Sequence, residues 1–298
     1  MREDFRDELG LFPPGDTLKP PGEDADAADG GEVAPQPMGP LAARMRPQTI
    51  EEFRGQDHLL GPDKALRSML ERGEVASMIF WGPPGSGKTT LARLLAQGTD
   101  AKFESFSAVT EGVGRVREII GQARERLQAT GRKTILFCDE IHRFNKAQQD
   151  AFLPHVEDGT IVLMGATTEN PSFEIVRPLL SRAPVFVLEP IPEEELVAIL
   201  RLALEEPARG LGRLGLAWDD EALRFLAGES DGDARRALGI LEAAANLAGD
   251  GGTLTNELTK EAAQLRFAVY DKSGEEHFNL VSALHKAVRG SDPDGALY

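Results

Sequence analysis

The stretch Gly82-Pro83-Pro84-Gly85-Ser86-Gly87-Lys88-Thr89 matches the phosphate-binding pattern G-x-x-x-x-G-K-[ST] at every fixed position. An apolar run, Met78–Trp81, precedes it, and a helical pattern begins at Thr90 and continues to residue 97. In this strand, loop and helix order, glycine-rich backbone N–H groups surround phosphates. The stretch, with Thr90, therefore predicts a nucleoside triphosphate site, with Lys88 on the phosphate oxygens and the Thr89 hydroxyl on Mg²⁺. The alternative, a plain Gly/Pro turn, does not require the flanking elements.

The surrounding pattern predicts an α/β domain at 41–189. Apolar runs at 78–81, 134–138, 161–166 and 185–188 alternate with helical stretches such as 113–128. Strands separated by helices predict a parallel sheet covered on both faces. After Pro190 and Pro192 the strand pattern gives way to amphipathic helices, which predict a small all-α lid at 190–266. Residues 267–298 read as the start of a further helical domain.

Composition limits the class of protein. The chain has 298 residues, 41% of them hydrophobic, which is enough for about two domains. No apolar run has the length of a membrane span, and the polar residues Arg2, Glu3 and Asp4 follow Met1. We therefore expect a soluble, cytoplasmic protein without membrane partners. The single cysteine, Cys138, lies in an apolar run, which indicates a buried inert thiol.

The net charge of −16 argues against broad wrapping by nucleic acid. DNA contact would have to be local, and Arg143, Lys146 and Arg115 are candidates, although each also fits a solvated face. Residues 1–40 hold ten Asp or Glu side chains against three Arg or Lys, and 13–40 are mostly Pro, Gly, Asp and Ala. This composition predicts a disordered acidic tail.

Two adjacent carboxylates, Asp139 and Glu140, follow the apolar run at 134–138. A buried strand would present them at its carboxyl end, beside the phosphate loop. We assign Asp139 to the Mg²⁺ shell and Glu140 to the water that attacks the γ-phosphate. The alternative is a solvated strand end.

Three further positions are candidates because of where they fall in the series. The stretch Gly165 to Pro171, which includes Thr168, ends the next predicted strand, where a hydroxyl or amide can hydrogen-bond the attacking water. Arg182 precedes the last strand and fits either an ordinary surface position or contact with the γ-phosphate of a neighbouring subunit. Arg235 begins a lid helix that would fold over the nucleotide, with Arg236 as its solvated neighbour.

This order of motifs resembles the AAA+ ATPases of the clamp-loader clade. The stretches "PLAARMRPQTIEEFRGQDHLLG", "DEIHRFNKAQQDAFLPHVEDGTI", "GATTENPSFE", "GDARRAL" and "YDKSGEEHFNLVSALHKAVRGSDPDGALY" resemble the family of replication-associated recombination protein A, bacterial relatives of the Werner-helicase-interacting protein. The resemblance covers residues 40–298. It implies Walker A at Lys88 and Thr89, Walker B at Asp139 and Glu140, sensor 1 at Thr168, an arginine finger at Arg182 acting in trans and sensor 2 at Arg235. It also implies adenine contact at 56–60, largely through backbone.

The resemblance implies a DNA-dependent ATPase at stalled forks and gaps, with ATP and Mg²⁺ as ligands. The implied partners are forked, gapped or single-stranded DNA, single-stranded-DNA-binding protein and further copies of the chain in a tetramer, in a nucleoid-associated setting. Family members continue past the position of Tyr298, so we expect the oligomerisation domain to be incomplete here.

Rival interpretations remain. A clamp-loader or branch-migration motor would use the same scaffold, and an ATP-gated adaptor would bind nucleotide with little turnover. Asp139 to His142 also fits a helicase DExH box, which the two prolines of the phosphate loop disfavour, and His142 fits a supporting or surface position. Separately, Leu9, Leu11 and Phe12 resemble a sliding-clamp-binding peptide, or form a chance cluster.

Overall fold

The computed structural model describes residues 39–270. The predicted acidic tail, except for its last two residues, lies outside the described residues, as do Leu9, Leu11 and Phe12. Most of the predicted domain at 267–298 also lies outside them.

Strands and helices alternate through the first part of the described chain. The strands are β1 (Met78–Trp81), β2 (Lys102–Ser107), β3 (Thr134–Asp139), β4 (Ile161–Thr167), β5 (Val185–Val187), β6 (Ala217–Trp218) and β7 (Thr253–Leu254). The α-helices are α1 (Leu41–Arg44), α2 (Asp57–Leu60), α3 (Ala65–Arg72), α4 (Lys88–Gln97), α5 (Val113–Thr130), α6 (Lys146–Asp150), α7 (Leu153–Glu157), α8 (Pro171–Glu174), α9 (Arg177–Leu180), α10 (Glu193–Glu205), α11 (Asp220–Glu229), α12 (Ala234–Ala248) and α13 (Asn256–Tyr270). Two 3₁₀ turns span Ile141–Arg143 and Gly212–Leu214.

Five strands form one sheet in the order β2-β3-β4-β1-β5, and every pairing is parallel. Successive side chains point to opposite faces, so β3 contributes Phe137 to the core cluster that includes α4 and Leu136 to the cluster that includes α5. Both faces are therefore covered, and the α/β fold class is confirmed. The carboxyl ends of β3, β4 and β1 lie at the same edge, where the candidate site forms.

The sequence interpretation missed β2. Its residues, KFESFS, mix charged and aromatic side chains, and β2 lies at the sheet edge, where it pairs only with β3. An edge strand does not need the continuous apolar run that marks a strand buried on both faces. The predicted runs at 134–138 and 161–166 each extend one residue further, and the last strand ends at Val187.

Helices α10 to α13 pack around a second apolar core. Leu41 and Met45 belong to this core, although the sequence interpretation began the α/β domain at residue 41. The Leu41 backbone N–H donates to Glu242 Oε1 at 2.8 Å, which joins α1 to α12. The all-α prediction also misses a two-residue parallel ladder between β6 and β7, because segments this short carry no periodic pattern.

Across residues 39–270, the helices lack the combination of length and apolarity needed to cross a membrane.

Candidate nucleotide site

Glycines allow the tight path of the phosphate loop between β1 and α4. Gly85 and Gly87 have φ angles of +67° and +100°, which residues with a Cβ rarely adopt. A Cβ at Gly87 would stand 2.7 Å from the Phe53 ring, and one at Gly82 would stand 2.4 Å from the Leu188 carbonyl oxygen. This path fits the phosphate cradle that the sequence pattern predicts.

One cavity is lined by residues from distant parts of the chain. The loop contributes residues 84–90, the end of β3 and the residue after it contribute Asp139 and Glu140, and the start of α12 contributes Arg235. Gly82 and Pro83, also predicted to bind the nucleotide, do not line the cavity, and their carbonyl oxygens accept hydrogen bonds from Lys88 Nζ at 2.7 and 2.8 Å. The structure thus brings together the predicted phosphate, acid and lid residues.

The charge of Lys88 is balanced by its surroundings. Burial lowers the pKa of the Lys88 ammonium, and the neighbouring Arg235 lowers it further, while Glu140 and Asp139 favour the charged form. An anion in the cavity would also favour the ammonium. The ammonium thus lies in the cavity between two carboxylates and a second cation, where a phosphate would stabilise its charge.

Glu140 is held in place by contacts from the residue after β4 and from the 3₁₀ turn Ile141–Arg143. Its backbone has φ +52° and ψ +47°, a left-handed conformation that costs roughly 1–2 kcal/mol for a residue with a side chain. Thr168 Oγ1 donates to Glu140 Oε2 at 3.3 Å. Non-glycine residues in this conformation concentrate at functional sites, and Glu140 lines the same cavity as Lys88.

His142 contacts Glu140, whereas the sequence allowed either a supporting or a surface position for it. Its Nδ1 lies 3.2 Å from Glu140 Oε2 and 3.0 Å from Thr167 Oγ1, and the side chain is largely buried. The surface interpretation is therefore wrong, and the ring contacts the carboxylate assigned to water activation. Because Thr167 is the last residue of β4, only the pairing of β3 with β4 creates this contact.

Arg182 does not line the cavity. Its guanidinium lies on the surface, where Nη2 is 2.5 Å from Glu157 Oε1 and Nη1 donates to the Pro178 carbonyl oxygen at 2.8 Å. An in-trans role requires a second copy of the chain, so the arginine-finger assignment stays a prediction.

The segment before α2 contributes residues that the sequence interpretation missed. Arg46, Glu52, Phe53 and Arg54 line the cavity, whereas residues 56–60, where adenine contact was expected, do not. Burial lowers the pKa of the Arg46 guanidinium, and repulsion from nearby Arg93 and Arg235 adds to this. The pattern of this segment gives no periodic signal, so only the fold brings Arg46 to the cavity.

Gln56 acts from behind the loop. This buried side chain donates from Nε2 to the carbonyl oxygens of Ser86 at 3.4 Å and Glu189 at 2.8 Å, and its Oε1 accepts from the Glu189 N–H at 3.1 Å. The phosphate loop is thereby joined to the segment that leads into the helical part of the chain.

The oxygen atoms that line the cavity suit Mg²⁺. Thr89 and Asp139 both line it, and magnesium is usually held by one or two carboxylates together with substrate phosphates. In the described part of the chain, no three His, Cys, Asp or Glu side chains group into a dedicated metal site. A magnesium ion here would therefore depend on the phosphates for ligands.

Comparison with known proteins agrees with this geometry. Residues 78–190 match the family described as ATPase family associated with various cellular activities (AAA), and residues 212–289 match the AAA C-terminal domain. Replication-associated recombination protein A of Haemophilus influenzae is 51% identical over 270 residues, covering 90% of this chain and 60% of that protein. The Escherichia coli K12 protein of the same name is 52% identical over 263 residues, covering 87% and 59%.

A solved structure shares the fold. The Thermotoga maritima RuvB Holliday junction branch migration motor is 27% identical, with a TM-score of 0.58 and coverage of 74% of this chain and 73% of that chain. The parallel sheet, phosphate loop and helical lid define an AAA-class P-loop ATPase. Within that class, the chain belongs to the family of replication-associated recombination protein A. It spans about 60% of the length of these relatives.

Proposed function

We propose that this chain binds ATP with Mg²⁺ and hydrolyses it, as the ATPase part of a DNA-dependent enzyme that acts at stalled replication forks in recombination and repair. The observation that carries the proposal is the shared cavity of Lys88, Glu140 and Arg235. Phosphoryl transfer to water requires a cation that binds the phosphates, a carboxylate that orients the water and positive charge near the γ-phosphate.

Each residue has a role that follows from its position. The backbone N–H groups of the loop and Lys88 bind the phosphates, and Thr89 and Asp139 hold the metal. When bound, Mg²⁺ neutralises charge on the phosphate oxygens. Glu140 orients the attacking water and polarises it as a general base. Arg235 offsets charge from the lid side.

Two side chains support Glu140. The hydroxyl of Thr168 donates to its carboxylate, and the ring of His142 lies against the same oxygen. These contacts fix the direction in which the carboxylate points before water arrives. Arg182 acts on the nucleotide of a neighbouring copy, which makes full turnover depend on assembly.

The names of the relatives support a role in replication-associated recombination. We propose forked, gapped or single-stranded DNA and single-stranded-DNA-binding protein as partners. We also propose a tetrameric assembly and binding to the sliding clamp through Leu9, Leu11 and Phe12. The likeness to the branch-migration motor favours a second candidate, movement of four-way DNA junctions on the same scaffold.

The test measures binding and turnover separately. We expect Glu140→Gln to retain affinity for a fluorescent ATP analogue while phosphate release falls sharply, because binding uses the loop and hydrolysis uses the carboxylate. Lys88→Ala should lose binding. The control is Glu229→Gln, which changes an exposed acid on α11 and should alter neither.

Equal loss of binding in the Lys88 and Glu140 variants would contradict these roles. Binding without turnover in the unaltered chain, at protein concentrations that favour assembly and with forked DNA present, would instead support the ATP-gated adaptor. Movement of four-way junctions without a preference for forks would support the second candidate.

A further inference from the structure

One phenylalanine is unusually open to solvent. Phe173 lies in α8, just beyond the carboxyl end of β4, and is 81% exposed. It is the most exposed large hydrophobic side chain among the described residues. Neither the nucleotide cavity nor the core clusters use it. The ring is therefore available for contact, on the helix that follows the carboxyl end of β4.

A buried glutamine fixes the segments around this ring. Gln149 Nε2 donates to the carbonyl oxygens of Phe144 and Glu174, both at 2.9 Å, and Gln149 Oε1 accepts from the Val176 N–H at 3.0 Å. The backbone of the segment before α6 is thereby joined to the backbone between α8 and α9. The face that these segments carry is preorganised, so a ligand would not have to order it.

Three exposed basic residues lie in the segments that Gln149 joins. Arg143 precedes Phe144, Arg177 follows Val176, and Lys146 lies on α6 with Gln149. Within residues 39–270 none of these three side chains forms a hydrogen bond or an ion pair. We call Phe173, Arg143, Lys146 and Arg177 the aromatic–basic face.

Other cations considered for DNA contact are already engaged. Arg115 is paired with Glu118 at 2.8 Å and lies 3.8 Å from Glu111. The solvated-face interpretation therefore describes Arg115, while Arg143 and Lys146 keep their charge free for an anion. Asp150 and Glu174 share these segments, so the net positive charge of the face is small. Because its cations are exposed, we expect binding to weaken as salt rises.

We propose that the aromatic–basic face binds single-stranded DNA, with an unpaired base stacked on Phe173 and phosphates paired with Arg143, Lys146 and Arg177. The inference rests on the proposed function for its choice of DNA as ligand. Single strands expose the flat faces of their bases, and proteins bind them with aromatic side chains beside backbone-tracking cations. A duplex hides those base faces, and an acidic peptide would not need the aromatic ring.

The face lies next to the hydrolytic residues. Arg143 is the last residue of the 3₁₀ turn that begins after Glu140, and His142 of the same turn contacts Glu140 Oε2. α8 begins three residues after Thr168, which donates to the same carboxylate oxygen. DNA on this face would therefore touch the two segments that orient Glu140, which would couple DNA binding to the proposed turnover.

The test measures fluorescence anisotropy of a labelled oligo-dT strand with the whole chain and no nucleotide. We expect Phe173→Ala to weaken binding about tenfold, the effect of losing one stacked base, and Phe173→Trp to preserve it. Arg143→Ala with Lys146→Ala should reduce the slope of log affinity against log salt by about 0.7 for each phosphate that the protein no longer neutralises.

Matched controls lie on the helical part of the chain. Leu247 is 44% exposed on α12 and Arg224 is exposed on α11, so Leu247→Ala and Arg224→Ala should leave oligo-dT affinity unchanged. Binding of a fluorescent ATP analogue should be the same in all of these variants, which shows that they are folded.

Unchanged oligo-dT affinity in Phe173→Ala would overturn the proposal, as would equal losses in the controls. A change in sedimentation without a change in DNA affinity would assign the face to contact between copies of the chain and also overturn it. These readouts need no ATP hydrolysis. A chain that binds oligo-dT through Phe173 without turnover would contradict the proposed ATPase alone, and an ATPase indifferent to Phe173 would contradict this inference alone.

Discussion

Replacing Gly85 by alanine tests whether the helical lid rests directly on the phosphate loop. A Cβ at this position would lie 1.7 Å from Asp233 Oδ1 and 2.8 Å from Asp233 Cα. The first contact involves a side chain that can rotate, but the second involves backbone at the start of α12. The lid would therefore have to move away from the loop.

The expected cost has two parts. Because Gly85 has φ +67°, alanine costs about 1–2 kcal/mol for a left-handed backbone. Forcing a methyl group into a packed contact adds about 1–3 kcal/mol. We expect Gly85→Ala to lower the free energy of unfolding by about 2–5 kcal/mol. Gly131 has φ +70° and open space within 4 Å of the point that an alanine Cβ would occupy, so Gly131→Ala should show only the first part.

Urea unfolding followed by circular dichroism measures these differences. Adding Asp233→Ala, alone and together with Gly85→Ala, makes a double-mutant cycle. That change alone should cost about 1 kcal/mol, because the Asp233 carboxylate accepts the Arg236 N–H at 3.0 Å at the start of α12. In its background Gly85→Ala should cost less, since the closest contacts are gone. A Gly85→Ala cost equal to that of Gly131→Ala, or unchanged by Asp233→Ala, would refute direct contact between loop and lid.

Two predictions concern ionisation. The lowered pKa of Lys88 predicts that affinity for a fluorescent ATP analogue falls as pH rises. The fall should begin below the pH range in which an ordinary lysine titrates, because phosphates bind the ammonium form and the free protein loses that proton at a lower pH. Arg235→Gln removes a like charge and should move this loss to higher pH; affinity independent of alkaline pH would contradict both expectations. Burial raises the pKa of the Cys138 thiol, and the nearby Asp139 and Glu140 raise it further. Maleimide should therefore label Cys138 in denaturant and not in the native protein. Rapid labelling of the native protein would contradict a buried, protonated thiol.

Local patterns were sufficient for the residues that meet at the sheet edge. Lys88, Asp139 and Thr168 each follow an apolar strand, and the carboxyl ends of neighbouring parallel strands share one edge. Their convergence could therefore be predicted without knowing the strand order. Arg235 was a candidate because of its place in the series of motifs, near the start of a predicted lid helix.

Other parts of the site depend on contacts between distant segments. Arg209 reaches the cavity through a bidentate pair with Glu52, at 3.1 and 3.2 Å, across more than half of the described chain. Neither residue stands in a periodic pattern that indicates its partner. Likewise, Gln56 reads as an ordinary polar residue until the fold buries it among backbone groups that need hydrogen bonds.

The loop and the lid are connected twice, and the two connections are physically distinct. Gly85 meets Asp233 directly, whereas Gln56 joins the loop at Ser86 to Glu189. Two residues beyond Glu189, the Ile191 N–H donates to the Gly232 carbonyl oxygen at 3.1 Å. Because Gly232 immediately precedes Asp233, both routes end at the start of α12. After Asp233→Ala, the hydrogen bonds of Gln56 and the approach of Arg235 to the cavity remain as routes by which the lid can respond to nucleotide.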